Sequence, residues 1–368
     1  MNGHRPRMSV LTSAAPGPVG ILQLMGLGAL EVLSRITGVT DWQSGRIRVV
    51  RFEELDIGLA VVLRADWVQL MPHAGPRVMH HLIDRVVELG AVGATHVTSW
   101  EVYPEAECAL EADMLATLAR AASPAAVDLL IAQLKLWSDW NGRPAEARTT
   151  PGHILDRSDV LDRLVDPPSI VVVGRPNVGK STLGNRILGR AASIVADLPG
   201  TTRDWVGGLA EIRALPRLGE SAPCDIAVRW FDTPGLRETS DPLEQQAMEL
   251  ARQVITTADV LVAMRDPQIE WPLSQGLPRS PDLWVVNKID QVGGWKSGGD
   301  GRVREAPLGV SASDGMGIDA LLEAVLNCLQ LTSIVPDELW AFTPTLREVL
   351  CGAGSGELGD YLNRPQRK

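Results

Sequence analysis

The apolar run Ile170–Val173 passes directly into Gly174-Arg175-Pro176-Asn177-Val178-Gly179-Lys180-Ser181, and a helical pattern over Lys180–Leu188 begins where that octapeptide ends. A buried strand, a glycine turn and a helix N-terminus in unbroken succession point to strand–helix alternation around a mostly parallel sheet. The sequence beyond agrees. Leu209–Leu215 and Cys224–Phe231 read as neighbouring strands, and Val260–Met264, Leu283–Val286 and Leu308–Val310 complete the sheet. Ile318–Leu329 is an amphipathic closing helix, while the Pro/Gly-rich stretches Pro267–Pro281 and Val292–Arg302 read as surface insertions.

The octapeptide has the GxxxxGKS spacing of a phosphate-binding loop. Its glycines let the backbone wrap an anion with several N–H groups pointing inward, and the helix N-terminus adds a favourable field. Gly174, Asn177, Val178, Gly179 and Thr182 belong to this cradle. Lys180 is placed to reach the β- and γ-phosphates of a nucleotide, which makes it a catalytic candidate, and the Ser181 hydroxyl to bind Mg²⁺.

Asn287-Lys288-Ile289-Asp290 follows another buried strand. Asp290 can accept from guanine N1–H and N2–H together, whereas adenine would face that carboxylate with an acceptor. Asn287 can tie loops together, and the Lys288 stem can cover the base. Ser311-Ala312-Ser313 can reach the guanine carbonyl through backbone N–H groups. Asp232 ends an apolar strand and suits the magnesium water shell, Gly235 suits the γ-phosphate, and Thr202 is preferred to Thr201 as a further Mg²⁺ ligand. The order of these motifs predicts an α/β P-loop domain that binds and hydrolyses GTP. Leu236 stands where many GTPases carry a water-orienting glutamine, so another group or a partner must do that work. Glu244, on a helix started by Pro242, is one candidate; it reads equally as a solvated helix-face charge.

At 368 residues the chain exceeds one ordinary core. Residues 1–100 read as a small α+β domain. Its first helix carries Ala29, Leu30, Leu33 and Ile36 on one face, and its second Val78, Met79, Leu82, Ile83, Val86 and Val87; Arg46–Phe52 and Ile57–Leu63 are strands between them. Residues 101–150 form a helical segment and linker. Leu110, Met114, Leu115 and Leu118 mark one helix, and Ser123-Pro124 caps a second through Trp137. Asn141–Pro151 reads as the linker, with a helical hairpin packed on the next domain as the alternative. The G domain spans 166–331, and 332–368 reads as a short tail.

Bulk composition narrows the partners. The net charge of −10 gives no basic footprint, so any RNA contact must be local. No apolar run reaches the ~18–20 residues of a membrane span, and the stretch Val10–Leu33, broken by Pro16, Gly17, Pro18 and Gly20, lacks a signal peptide's tripartite layout, so a cytoplasmic setting is expected. Four scattered cysteines without a CxxC pair read as buried free thiols. The 11 Trp against 3 Phe and 2 Tyr have no functional explanation in the sequence.

The stretch Asp232–Glu244, DTPGLRETSDPLE, continuing through Met248–Arg252 to Ala258-Asp259, resembles the bacterial tRNA-modification GTPases of the MnmE/TrmE type. Gly200-Thr-Thr-Arg-Asp204 is similar to that family's first switch, Val19–Leu22 to the opening of its N-terminal domain, and His73-Ala-Gly75 to its His-Gly-Gly segment. The resemblance implies that Glu244 orients the attacking water and that Asn177 coordinates a K⁺ ion in place of an arginine finger. It implies a homodimer through the N-terminal domain, transient pairing of G domains, formyl-tetrahydrofolate as a one-carbon donor, and a flavin-dependent partner protein in modifying the wobble uridine of tRNA. Only a short tail follows Leu331, and Cys351-Gly352 departs from the family's Cys-Ile-Gly-Lys ending, which suggests a shortened, diverged paralogue. The phosphate loop and the Asp-Thr-Pro-Gly turn resemble those of the ribosome-assembly GTPases Era and Der equally well; that alternative implies a regulatory switch without tRNA modification.

Overall fold

The computed structural model describes residues 5–12, 18–93, 98–103, 105–190, 206–214, 224–233, 242–271, 277–292, 295, 299–332, 334–335, 337–352, 359 and 361–362. The chain forms two compact units, one reaching Ala116 and one starting at Thr117.

The first unit contains β1 (Arg7–Val10), β2 (Leu22–Met25), α1 (Ala29–Thr37), β3 (Ile47–Phe52), β4 (Asp56–Arg64), β5 (Trp67–Met71), α2 (Pro76–Glu88), β6 (Val92–Gly93), α3 (Ser99–Val102) and the start of α4 (Ala109–Leu118). Its sheet runs β3-β4-β5-β2-β1-β6, antiparallel except for the parallel β1–β6 edge. Of the face expected on α1, Ala29, Leu33 and Ile36 are buried with Leu22, Leu24, Phe52 and Leu70 in one core, whereas Leu30 is only partly buried and Val32 takes the remaining core place. Leu82 and Val86 of α2 join them, whereas Val87, expected on the same face, is exposed. The helix α1 stops at Gly38, whose left-handed φ of 70° lets its N–H return to Ser34 O.

The second unit opens with α5 (Pro124–Gly142) and α6 (Pro151–Leu161). The sheet domain follows: β7 (Ser169–Gly174), α7 (Lys180–Arg190), β8 (Val206–Ala214), β9 (Cys224–Asp232), α8 (Pro242–Thr257), β10 (Val260–Arg265), β11 (Leu283–Val286), β12 (Leu308–Gly309) and α9 (Ile318–Cys328). The strand order is β12-β11-β10-β7-β9-β8, parallel throughout except for the antiparallel β8–β9 pair. Ile170–Val173 lie between β9 and β10 and are almost wholly buried, as an uninterrupted apolar strand requires.

The helices before this sheet and the residues after it form one layer. Ser123 and Pro124 start α5, but the Ser123 hydroxyl does not cap the helix; it accepts the Ala227 N–H of β9 at 3.0 Å. Trp340 is fully buried. Its N–H donates to Gln133 Oε1 at 2.9 Å, its carbonyl accepts Trp137 Nε1–H at 3.2 Å, and its own indole donates to Asp162 at 2.9 Å. Ala341 N–H reaches Ser158 Oγ at 2.8 Å, and Arg347, on α10 (Pro344–Gly352), pairs with Asp159 and Asp162 of α6 and the turn that ends it. Residues 337–352 are therefore packed against α5 and α6. The segment read as a linker folds back on α5: Thr149 O accepts the Trp140 Nε1–H at 3.1 Å, and the Arg148 guanidinium lies over the Trp140 ring.

The expected surface insertions contribute core. Trp271 is buried edge-on to Trp284 at 5.0 Å, beneath the Arg265 guanidinium, and Trp295 packs against the same cluster. A large aromatic side chain seeks burial even where proline and glycine break regular structure. The thiols correct another expectation: Cys351 is exposed, while Cys108 and Cys328 are half-buried and pushed up by burial. Among the described residues no helix is long and apolar enough to cross a membrane.

Trp340→Ala removes the side chain at the centre of this layer. It is expected to cost the second unit about 3–5 kcal/mol, a loss measurable as a lowered urea midpoint. An unchanged midpoint would show that the layer does not support the unit.

Candidate functional site

The phosphate loop takes its shape from two residues in the left-handed region, Asn177 at φ 64° and Gly179 at φ 96°. Neighbours crowd it so closely that side chains are excluded at its glycines. A Cβ on Gly174 would overlap the Met264 carbonyl of β10, and one on Gly179 would overlap the Asn287 amide.

Asn287 is buried at the end of β11 and joins three segments. Its Nδ2–H donates to the Val178 carbonyl of the phosphate loop at 2.9 Å, and its Oδ1 accepts the Ala312 N–H at 2.9 Å. The next residue, Lys288, sits at φ 61° and donates from Nζ to the Asn177 carbonyl at 2.8 Å. Asp290 is exposed on the short turn Ile289–Gln291 that follows. The Ser311 and Ser313 hydroxyls bond each other at 3.0 Å, and Asp314 N–H donates to Ser311 Oγ at 3.2 Å. Hence the structure brings the phosphate loop, Asn287-Lys288 and Ser311-Ala312-Ser313 together, as the sequence expects.

Lys180 is buried and donates to the Gly174 and Arg175 carbonyls at 3.2 and 3.4 Å. Burial holds its ammonium below the ordinary value of 10.5, against a smaller opposing pull from Asp232. Ser181 donates to Asp232 Oδ2, and Asp232 Oδ1 is buried without a partner among the described residues. A hydroxyl and a carboxylate with spare acceptor capacity are hard oxygen donors, the set that Mg²⁺ takes. Thr182 is exposed at the start of α7. Thr202 and Gly235 lie outside the described residues, and Glu244 falls in the first turn of α8 with its side chain outside them.

Two contributors escape sequence reasoning. Asp266, one residue beyond β10, bonds Lys288 Nζ at 3.0 Å. Its only sequence signal is an acidic residue closely following a buried apolar strand, the same placement as Asp232. Arg186, within α7, donates to the carbonyls of Ala312 and Ser313. Nothing local in the sequence identifies so distant a target.

A strand–phosphate-loop–helix unit bound to an Asn-Lys-x-Asp turn on a mostly parallel sheet defines a P-loop GTPase. Residues 169–288 match the family described as 50S ribosome-binding GTPase. Along most of its length the chain is similar to proteins named tRNA modification GTPase MnmE. A Thermus thermophilus protein of that name is 27% identical over 383 aligned residues, covering 89% of this chain and 84% of the relative. The Magnetococcus marinus protein is 35% identical over 186 residues, covering 47% and 36% respectively. Among solved structures, Aquifex aeolicus Era bound to GDP and AlF₄⁻ is 28% identical, covers 48% of this chain and 62% of its own, and superposes with a TM-score of 0.31. The resemblance read from Asp232–Glu244 is borne out, and the chain is a GTPase.

The Lys180 environment makes a pH prediction. Because the folded-state pKa lies below the unfolded one, the buried ammonium costs stability below the folded value, and this cost is relieved as pH rises from there toward 10.5. Lys180→Met removes the cost. The ligand-free variant is expected to be at least as stable as wild type at neutral pH, with a flatter rise in stability on the alkaline side, read by urea midpoints across pH. A less stable variant would show that the bonds of Lys180 outweigh its desolvation.

Proposed function

We propose that this protein couples K⁺-stimulated GTP hydrolysis to modification of the wobble uridine of tRNA. The carrying observation for the site is the Asn287 amide, which fastens the base-side and phosphate-side loops into one pocket. Similarity to the MnmE proteins over 89% of the chain supports the tRNA assignment. The net charge of −10 confines the RNA contact to a local patch. In this reading the N-terminal unit is the dimerisation unit, G domains pair during turnover, and the setting is cytoplasmic.

Each residue then has a role set by its chemistry. Asp290 accepts from the guanine edge, the Lys288 stem covers the base, and the backbone at Ser311-Ala312 meets the guanine carbonyl. Gly174, Val178, Gly179 and Thr182 belong to the phosphate cradle, and Gly235 meets the γ-phosphate. Lys180 exchanges its two carbonyl partners for β- and γ-phosphate oxygens, which relieves the buried ammonium. Ser181, Asp232 and Thr202 would hold Mg²⁺, and Asn177 would hold K⁺. When bound, these ions neutralise charge that gathers on the phosphates. Leu236 cannot orient water, so Glu244 does so from the first turn of α8.

Glu244→Ala is expected to leave the GDP affinity within about twofold of wild type while slowing single-turnover hydrolysis by roughly 10²–10⁴-fold, the usual range for positioned acid–base groups. A wild-type rate in this variant would remove Glu244 from the mechanism. Turnover in KCl should exceed turnover in NaCl at equal ionic strength, and Asn177→Ala should abolish the difference. Equal rates in the two salts would sink the potassium assignment.

A further inference from the structure

The Lys288 ammonium has two partners on different segments, the Asn177 carbonyl at 2.8 Å and Asp266 Oδ2 at 3.0 Å. Asp266 is nearly buried, and its two oxygens do different work. Oδ1 accepts the Gln268 N–H at 2.9 Å, a local turn closure within its own segment. Oδ2 faces Lys288, which lies beyond β11. Burial works to raise the Asp266 carboxyl, but its bonds to Lys288 and to nearby backbone N–H groups prevail and hold it below the ordinary carboxylate range.

A lysine on a four-carbon stem has many rotamers, and pinning it costs up to ~2 kcal/mol of side-chain entropy. One neutral carbonyl acceptor competes weakly with water for a solvated ammonium, whereas a buried carboxylate does not. The turn after β10 reaches the phosphate loop a second time, through Glu270 and Arg175 at 4.0 Å; both are substantially exposed and add little.

We propose that Asp266 is a positioning residue for guanine-nucleotide binding, fixing the Lys288 ammonium between the base-side turn and the phosphate loop so that the pocket is pre-formed before nucleotide arrives. This rests on the nucleotide site proposed above. Affinity then depends on Asp266 although it need not touch the ligand, because ordering Lys288 has been completed in the free protein. The local role of Asp266 is separable from this one. Asparagine retains the Oδ1 acceptor for Gln268 but presents an N–H₂ group to the ammonium.

The test is a double-mutant cycle on the full chain with fluorescent methylanthraniloyl-GDP as the probe. Asp266→Asn should weaken binding about tenfold, the size of one lost charge-assisted bond. Lys288→Met should weaken it as much or more, and adding Asp266→Asn to Lys288→Met should change nothing further. Asp266→Ser, which also keeps a turn acceptor, should behave as Asp266→Asn and serves if that variant does not fold. Wild-type affinity in both Asp266 variants, or an undiminished Asp266 effect in the Lys288→Met background, would overturn the inference while leaving the nucleotide site intact. Absence of GDP binding by the wild-type chain would overturn the site and this inference together.

Discussion

The amide of Asn287 is the constraint from which the site follows. It is buried, and a buried primary amide left without partners costs about 1–3 kcal/mol for each unsatisfied group. Here the amide spans the Val178 carbonyl and the Ala312 N–H, so burial of Asn287 and correct placement of both loops are one event. The close approach also explains Gly179: the loop can wrap the amide only where no Cβ intervenes. Shape at the phosphate loop is thus enforced from β11 as well as by the β7–α7 connection.

The helical layer obeys the same logic with different chemistry. Trp340 is hydrophobic in bulk yet carries an indole N–H and two backbone groups, all buried with it. Gln133, Trp137 and Asp162 satisfy those groups, so the segment after α9 can settle on α5 and α6 in one register only. Ser123 connects that layer to the sheet through the Ala227 N–H. The strand β9, which ends at Asp232, is therefore tied to the start of α5 by the Ser123 hydroxyl.

Legibility in the sequence followed the range of the interactions. Residues Ile170–Ser181 were readable because strand, glycine turn and helix start are adjacent in the chain. The Asn287 bonds span 109 and 25 residues, and only the motif's spacing hinted at them. Asp266 and Arg186 gave no comparable pattern, since each is a single charged residue whose target is defined by topology. In the first unit the longer pairs β3 and β4 were legible, whereas the four-residue strands β1 and β2 are too short for periodicity to show. Proline and glycine marked the insertions as loops correctly in backbone terms. They could not reveal that Trp271 and Trp295 would turn inward. The excess of tryptophan over phenylalanine has its structural use there and at Trp137, Trp230 and Trp340, where large rings fill the interior.

What the fold leaves incomplete is as informative as what it satisfies. Lys180 is buried with only neutral carbonyl acceptors, and Asp232 Oδ1 is buried with no donor among the described residues. The phosphate loop and the end of β9 thus carry an ammonium bonded to carbonyls alone and a carboxylate with spare acceptor capacity, which Ser181 bonds at its other oxygen. The charge of Asp232 already acts on the Lys180 ammonium, but by less than burial opposes it. Under the proposed function, phosphate oxygens would relieve the Lys180 ammonium and Mg²⁺ would relieve the Asp232 carboxylate. Nucleotide and magnesium bound in that way would favour each other, because each would supply the charge that one of the two side chains lacks.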